Sequence, residues 1–391
     1  MSSFDEFTEA VTRVSVSKSS TPVPILNRAA VLGGGPDACL IAALCLAEGV
    51  DVTLFSAYGA ELDALRASSG VTLRGAGPVG TYQVDRTDSP SIKTTAELDR
   101  AVAGADVIFL TGPIHKQRTY AMVLADHLSD GQTLVLAPGR SLGALETAWF
   151  LRIGGCVVDA TIVEAQGLPY WVSAKGSVLT LSEAGPVAAA TLPSGRTDAL
   201  RAVGRILPNI EACDSVLASG FADGSALVEF PALLIAGSGG PVLPMGAVPL
   251  PENETFAALL DDEHHRIIAR LASERRAVAK AFGVRNLPDD AMWTLRHAGT
   301  ARGEGARPVP DKAAVLGLLR DGVIGSLVPL ISAAEITGTP VPMTQAMITL
   351  ASTVLGADVA ASGRRLNTIG IDATHIDTAR RAMDAIATGA T

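Results

Sequence analysis

Residues 29–56, AAVLGGGPDACLIAALCLAEGVDVTLFS, constrain the fold more than any other part of the chain. A short apolar run ends in three glycines, a helical pattern follows, and a second apolar run begins after Gly49. This pattern predicts a strand, a tight glycine turn, a helix and a second strand. Such a unit opens a doubly wound α/β sheet, and it binds a dinucleotide when its turn has the right glycine spacing.

The glycine turn fits the pattern G-x-G-x-x-A, with Gly33, Gly35 and Ala38 at the small positions. The first permits a tight turn, the second lets the backbone approach a pyrophosphate, and the third lets the helix pack closely on the strand. We predict that these residues and Pro36 bind the cofactor. The alternative is a turn that only joins strand to helix. Asp37 would repel a pyrophosphate, so we expect it to cap free amides with its side chain turned away.

The second strand ends at Ser56, where many folds of this class carry an acidic residue. An acid there binds the ribose 2′-hydroxyl of NAD and rejects the 2′-phosphate of NADP. Ser56 removes that repulsion, so we expect it to lie at the cofactor and NADP to be preferred, with NAD as the alternative. No arginine directly follows Ser56 to bind the 2′-phosphate, and Arg66 is some distance further along the chain. The expected preference for NADP therefore rests on Ser56 alone.

The pattern of elements changes near residue 195. Before it, helical patterns alternate with apolar strands, and two strands end at Pro113 and at Pro138-Gly139, where open parallel sheets bind ligands. Beyond it, helical periodicity dominates. We predict three regions: a flexible tail over residues 1–24, a dinucleotide-binding Rossmann domain over 25–195 and an all-α domain over 196–391. The Gly- and Pro-rich stretch 236–254 is predicted to be a long loop, a feature that is often functional.

Composition excludes several classes of protein. Hydrophobic residues make up 48% and charged residues 18%, as in globular domains. The net charge of −9, without a basic cluster, argues against a nucleic-acid partner. We see no uninterrupted apolar run long enough to span a bilayer and no basic signal peptide, so we expect a cytoplasmic protein without a membrane partner. The cysteines lack metal-ligand spacing, so no metal is expected and they read as buried thiols: Cys39, Cys45, Cys156 and Cys213. We expect a small-molecule substrate and a homodimer.

Several segments resemble the opine dehydrogenase family, which includes the octopine and nopaline dehydrogenases and the N-(carboxyethyl) amino acid dehydrogenases. They follow one another in order from residue 29 to about residue 374: AVLGGG, GADVIFLTGP, GQTLVLAPGRSLGALE, VEAQGLPYWVSAKG, SERRAVAKAFGV and SLVPLISAAEITGTPVP. The resemblance implies a Rossmann domain followed by an all-helical domain, with the substrate between them. It also implies an NAD(P)H-dependent oxidoreductase that reduces an imine, formed from an amine and an oxo acid or ketone, or a carbonyl compound.

The resemblance implies catalytic residues as well, with departures from the family pattern. The family's catalytic histidine lies in a segment similar to N-x-x-x-H-P, and the corresponding SALVEF places Glu229 at the histidine position and Ser225 at the asparagine position. Asp321 is retained ahead of SLVPL with Arg320 beside it, but the family's earlier arginine is missing. Glu229 could donate a proton only if burial, for example beside Phe230, raises its pKa. It could instead bind a substrate ammonium, or be a structural carboxylate bound to backbone amides.

Four further polar residues are predicted to contact the substrate: Lys116, Glu164, His264 and His265. Lys116 follows the strand end at Pro113 and could hold a carboxylate, although a solvated lysine is the alternative. Glu164 matches the family's E-x-x-x-x-P-Y strand, and a structural role without substrate contact is the alternative for it. The two histidines begin a predicted helix after three acids, and a solvated helix start is the alternative for them.

Two other functions are compatible with the sequence. One is a ketopantoate-type or hydroxy-acid dehydrogenase, which reduces a carbonyl group without an amine. The other is a protein that binds a dinucleotide without catalysis. The absence of the family's catalytic histidine favours this alternative. An opine dehydrogenase requires an amine as well as the oxo compound, whereas the first alternative does not. The sequence lacks the motifs of serine hydrolases, P-loop kinases and zinc enzymes.

Overall fold

The computed structural model describes residues 23–68, 70–235 and 254–388. The first 22 residues of the predicted tail and nearly all of the predicted loop 236–254 lie outside the described residues. The strands are β1 (Arg28–Leu32), β2 (Asp51–Phe55), β3 (Gly70–Gly75), β4 (Gly80–Gln83), β5 (Lys93–Thr95), β6 (Val107–Leu110), β7 (Thr133–Leu136), β8 (Thr161–Ala165), β9 (Tyr170–Lys175), β10 (Val178–Glu183), β11 (Val187–Leu192) and β12 (Ile210–Ala212).

Helices alternate with these strands and then follow them. Those among the strands are α1 (Pro36–Ala47), α2 (Gly59–Ala67), α3 (Leu98–Val102), α4 (Ile114–Leu124), α5 (Gly143–Ile153) and α6 (Thr197–Ile206). Those after them are α7 (Val216–Ala222), α8 (Ser225–Leu234), α9 (Phe256–Leu259), α10 (Asp262–Ala281), α11 (Asp290–Ala298), α12 (Lys312–Gly322), α13 (Val328–Thr337), α14 (Pro342–Leu355) and α15 (Ile376–Thr388). Shorter turns of helix are a π turn (Val323–Leu327) and two 3₁₀ turns (Val359–Ser362 and Leu366–Ile369). We call residues 213–388 the helical half.

Eight strands form one sheet in the order β12-β11-β8-β7-β6-β1-β2-β5. Neighbours are parallel except for β8 and β11, which are antiparallel. Along β1 the side chains alternate between two cores, with Ala30 and Leu32 on one side and Ala29 and Val31 on the other. The predicted Rossmann sheet followed by helices is thus confirmed. The domain boundary at residue 195 stays a prediction, and the sheet itself continues to Ala212.

A second sheet, absent from the sequence prediction as a separate unit, has the order β4-β3-β10-β9. Its β3 and β10 are parallel, and each pairs on its other side with an antiparallel strand. Val71, Leu73, Leu179 and Leu181 share one hydrophobic core with Leu40 of α1. This sheet therefore covers the helix that begins at the glycine turn.

The two halves meet at the loop 139–142 and at the π turn. The N–H of Ser141 donates to the carbonyl of Gly325 at 2.8 Å, and the N–H of Arg364 donates to the carbonyl of Ile324 at 3.0 Å. In a regular α-helix the Gly325 carbonyl would bond to the N–H of residue 329, which is Pro329 and has none. The π turn thus presents one backbone acceptor, the Gly325 carbonyl, to the Rossmann domain and another, the Ile324 carbonyl, to Arg364 within the helical half.

Arg364 adds a fully buried side-chain contact between the halves. Its Nε donates to Glu146 Oε2 at 2.7 Å, Nη2 to Gln117 Oε1 at 2.7 Å, and Nη1 to the carbonyls of Gly139 and Ser141 at 2.6 and 3.2 Å. Every guanidinium nitrogen therefore has a partner, as a buried charge requires.

Two helical stretches of the described chain, Val216–Leu234 and Lys312–Thr337, are long and apolar enough to cross a membrane, and a bent pair after them could make a third. Charged residues interrupt both stretches, Asp223 and Glu229 in the first and Arg320 and Asp321 in the second. In the fold, 89% of the apolar 18-residue segment within the first stretch is buried inside the protein, and so is 61% of the corresponding segment within the second. Their apolar composition is thus largely used in packing.

Candidate active site

A cavity of about 440 Å³ lies between the carboxyl ends of the central strands and the helical half. Strands β1 and β6 are neighbours in the sheet, and the chain continues from them to opposite sides, so their carboxyl ends form the crevice in which such sheets bind ligands. The lining from this side includes Gly35, Pro36, Ala38, Pro113 and Pro138.

The glycine turn leaves the space that a dinucleotide pyrophosphate needs. A Cβ atom at Gly33, whose φ is +139°, would lie 2.3 Å from Thr111 Oγ1, whereas a Cβ at Gly35 would meet no described atom within 4 Å. Among the described residues no side chain caps the N-terminus of α1. Its amides are thus available to an anion, and the residues present fit a nicotinamide dinucleotide.

The end of β2 carries a carboxylate in addition to Ser56. The buried Ser56 hydroxyl donates to Glu61 Oε2 at 2.5 Å and accepts from the N–H of Tyr58 at 3.1 Å. Glu61 lies in the first turn of α2 and was not predicted as a site residue.

Two arginine–carboxylate pairs lie at the helical side of the cavity. Arg307 Nη1 lies 2.8 Å from Glu229 Oε1, and Arg140 Nη1 lies 3.4 Å from Asp223 Oδ1. All four side chains are largely buried. Asp223 Oδ1 also accepts from the Ser225 hydroxyl at 2.7 Å, so this residue links the start of α8 to Arg140.

The environment of Glu229 corrects one expectation for this residue. Burial alone would raise its pKa, but Arg307 and Arg140 outweigh burial and hold the pKa below its ordinary value. Glu229 is therefore ionised near neutral pH and does not donate a proton in this arrangement. Its place on the cavity wall agrees with the alternative role of binding a cationic group.

Asp321, rather than Glu229, has the raised pKa that a carboxyl proton donor needs. It lines the cavity, its Oδ1 accepts from the N–H of Ile114 at 3.3 Å, and burial raises its pKa despite the opposing charge of Arg140. Burial likewise raises the pKa of Asp37, which lines the same cavity. Among the described residues no side-chain hydrogen bond caps α1, so the capping role considered for Asp37 is not seen.

His297 of α11 also lines the cavity. Burial lowers its pKa to about 4, although Asp223 and Glu229 oppose the shift. The imidazole is thus neutral near neutral pH, and it offers one hydrogen-bond donor and one acceptor rather than a charge.

Four polar atoms of cavity residues are buried without a hydrogen-bond partner in the described part of the chain: Arg140 Nε, Gln166 Oε1, Glu229 Oε2 and Arg296 Nε. Buried polar groups are normally bonded, and each exception costs free energy. Two donors and two acceptors of the cavity residues therefore lack a partner within the described part of the protein.

Three of the predicted substrate contacts have other roles. Glu164 is fully buried and accepts from the N–H of Ala144 and from Ser219 Oγ, each at 2.8 Å. Burial raises its pKa to about 7, yet it is not among the described residues that line the cavity. His264 is also fully buried, where its Nδ1 lies 2.6 Å from Asp261 Oδ1 at the start of α10. His265 is exposed outside the cavity lining.

Lys116 and Gly139 also depart from their predicted contacts. Lys116 Nζ donates to the Tyr58 hydroxyl at 2.6 Å and lies over its ring, outside the described lining of the cavity. Gly139 belongs to the contact between the halves through its carbonyl, which accepts from Arg364. Gly33 and Ser56 lie outside the described lining of the cavity. A Cβ atom at Gly33 would meet Thr111, and the Ser56 hydroxyl donates to Glu61.

Sequence reasoning missed four residues of the site: Arg140, Asp223, His297 and Arg307. A signal for Asp223 existed, because Asp223 and Glu229 are the only charged residues between Asp214 and Glu252. Isolated acids in an apolar stretch are buried only when they are paired or functional. Arg307 stands in a Gly- and Pro-rich loop and stacks 4.3 Å from Phe256, for which the sequence carries no signal.

Curated relatives match most of the chain. The opine dehydrogenase of Arthrobacter sp. (strain 1C) is 26% identical over 359 residues, which cover 88% of this chain and 94% of the relative. Protein ocs of Agrobacterium tumefaciens (strain Ach5) is 25% identical over 303 residues, which cover 74% and 82%. No family model matches the sequence. The resemblance to opine dehydrogenases is confirmed by these relatives.

Solved structures share the fold. Octopine dehydrogenase with NADH and L-arginine superposes with a TM-score of 0.68 at 18% identity, covering 93% of this chain and 98% of the other. Yersinopine dehydrogenase with NADP⁺ gives 0.60 at 14% identity and the same coverage. A ketopantoate reductase from Ralstonia eutropha JMP134 gives 0.55 at 16% identity, covering 84% and 98%. The two-part architecture is therefore that of these enzymes.

Proposed function

We propose that this chain is an NAD(P)H-dependent oxidoreductase of the opine dehydrogenase type, which reduces an imine or a carbonyl compound. The observation that carries the proposal is the shared cavity. It is lined by the open glycine turn and by residues with buried, unpartnered polar atoms, Glu229 in the helical half and Arg140 and Gln166 in the Rossmann domain. The resemblance to opine dehydrogenases along most of the chain supports the same reaction class.

The glycine turn and the strand ends would hold the cofactor. Gly35 leaves room for the pyrophosphate, and the amides of α1 donate to it. Bound NAD(P)H supplies the hydride for the reduction. Pro113 and Pro138 line the crevice between the cofactor side and the helical wall.

The part of the cavity around Glu229, Arg140 and Gln166 would hold the substrate. Glu229 Oε2 and Gln166 Oε1 accept from an ammonium or iminium N–H, and Arg140 Nε donates to a carboxylate or carbonyl oxygen. A substrate with both an amine-derived N–H and an oxygen anion provides hydrogen-bond partners for these three atoms. An imine formed from an amine and a 2-oxo acid has this chemistry.

Asp321 would supply the proton. Reduction adds a proton to the imine nitrogen, or to the oxygen when a carbonyl is reduced, and a carboxyl whose pKa is raised by burial can hold that proton. Neutral His297 lines the same cavity and would hydrogen-bond to the substrate without adding charge. A cytoplasmic location and a homodimer stay predictions.

The reaction is tested by following oxidation of NADH and NADPH with a panel of 2-oxo acids, with and without amines. We expect oxidation that requires both components, because the wall has partners for both. Oxidation with the oxo acid alone would instead indicate a ketopantoate-type or hydroxy-acid dehydrogenase. Tight cofactor binding without turnover on any pair would indicate a protein that binds the dinucleotide without catalysis.

Replacing Gly35 with valine tests the glycine turn directly. Residue 35 has φ −79° and ψ 178°, which valine adopts without strain, and no described atom lies near its Cβ. We therefore expect an intact fold and dinucleotide affinity lower by at least roughly a hundredfold, about 2.8 kcal/mol. Calorimetric titration with NADH and NADPH measures this.

The matched control is Gly204→Ala in α6, where a Cβ likewise meets no described atom within 4 Å. It should bind both cofactors as the wild type does. Unchanged affinity in Gly35→Val would mean that the turn only connects β1 to α1.

A further inference from the structure

The carboxylate of Glu61 is fixed over the end of β2. The hydroxyl of Ser56, which is 1% exposed, accepts from the N–H of Tyr58 and donates to Glu61 Oε2. With its acceptor and donor sites both occupied, the hydroxyl holds the carboxylate in one place. Ser56 is thus the support of an acid that belongs to the next helix.

Glu61 also reaches the glycine turn. A Cβ atom at Gly34 would lie 1.8 Å from Glu61 Oε2 and 3.0 Å from Glu61 Cβ. The Glu61 side chain therefore occupies the space that a side chain at position 34 would take. This contact accounts for the middle glycine, which the pattern G-x-G-x-x-A does not require, and places the carboxylate between the turn and the strand end.

We propose that Glu61 accepts a hydrogen bond from the adenosine ribose of NAD(H) and excludes the 2′-phosphate of NADP(H). The inference rests on the proposed function, because it assumes a dinucleotide in the glycine turn. An acid at the end of the second strand performs this discrimination in Rossmann folds, and here the acid comes from five residues further along. The expectation of NADP considered Ser56 alone, whereas Ser56 positions the negative charge that disfavours NADP.

The basic groups of this region are already engaged. Arg66 Nε donates to Asp85 Oδ2 at 3.1 Å and to Thr94 Oγ1 at 3.0 Å, and Lys116 Nζ donates to Tyr58. A 2′-phosphate would have to break one of these contacts to gain a positive partner. It would also face Glu61 without compensation, and like charges brought together cost affinity.

The test compares the dissociation constants of NADH and NADPH, and of ADP-ribose and its 2′-phosphate, which isolate the adenosine end. We expect the wild type to bind the unphosphorylated ligands at least roughly tenfold more tightly. In Glu61→Gln we expect this ratio to shrink to within about threefold, chiefly by a gain in affinity for the phosphorylated ligands. Ser56→Ala should move the ratio in the same direction, because the carboxylate loses its support.

Glu335→Gln is the matched control. Glu335 lies on α13 in the helical half, and its side chain is 62% exposed, so this variant changes the net charge equally without touching the glycine turn or Arg66. It should leave the ratio unchanged. A wild type that prefers NADPH, or a ratio unaffected by Glu61→Gln, would overturn the inference. Failure of the wild type to bind either dinucleotide would overturn the proposed function instead.

Discussion

Exchange of Asp321 for asparagine is expected to lower turnover by roughly a hundredfold or more, the usual scale for general acid–base catalysis. Asparagine keeps the size of the side chain and can accept from the N–H of Ile114 as Asp321 does. It has no proton to donate. Cofactor affinity, measured by titration, should therefore stay within about twofold of the wild type.

The pH dependence gives this prediction a second readout. Burial raises the pKa of Asp321, and reduction needs its protonated form. The rate of the wild type should therefore fall as pH rises through that raised pKa, and this limb of the pH profile should be absent from the residual activity of Asp321→Asn. Arg320→Gln, at the exposed neighbouring position, removes a charge that lowers the pKa of Asp321, so this variant should keep turnover and the limb of the profile but move that limb to higher pH. A variant of Asp321 with full turnover would remove this residue from the mechanism.

Arg364→Leu is expected to lower the free energy of unfolding by about 3–5 kcal/mol, because it leaves the buried Glu146 carboxylate short of a partner and breaks the contacts to Gly139, Ser141 and Gln117. Urea unfolding followed by circular dichroism measures the change. Arg118 still donates to Glu146, so the loss should stay within that range.

Arg365→Leu is the control at the next position. Arg365 is partly exposed, and its Nη1 lies 3.4 Å from the exposed Glu335, so removing it should cost less than about 1 kcal/mol. Equal stability of the two variants would show that the buried guanidinium does not join the halves of the molecule.

The sequence predicted the elements around the glycine turn well because their signals are local. The predicted strand DVTLF coincides with β2, and the predicted helix after the turn coincides with α1 to within a few residues. The second sheet was not predicted as a unit, because the pairing of β3 with β10 joins residues about a hundred positions apart. Such a contact leaves no periodic pattern in either segment.

The site was predicted only in part, for a related reason. Glu229 and Asp321 were placed correctly at the cavity, but the charge state of each depends on neighbours that the sequence does not bring together. Arg307 lies 78 positions from Glu229 and reverses the effect of burial on its pKa. Glu164 has the same sequence character as a cavity acid, yet its oxygens are used inside the Rossmann domain.

The hydrogen bond between Ser141 and Gly325 determines which substitutions the contact between the halves tolerates. Both atoms of that hydrogen bond belong to the backbone, so it places no demand on the side chain of residue 141. Position 325 only has to stay small, since a Cβ there would lie 3.0 Å from Arg140 Cβ. A substitution of a cavity side chain therefore leaves this hydrogen bond, and the register that it sets between the two walls, in place. Substrate preference can change in this scaffold without a new way of assembling the cleft.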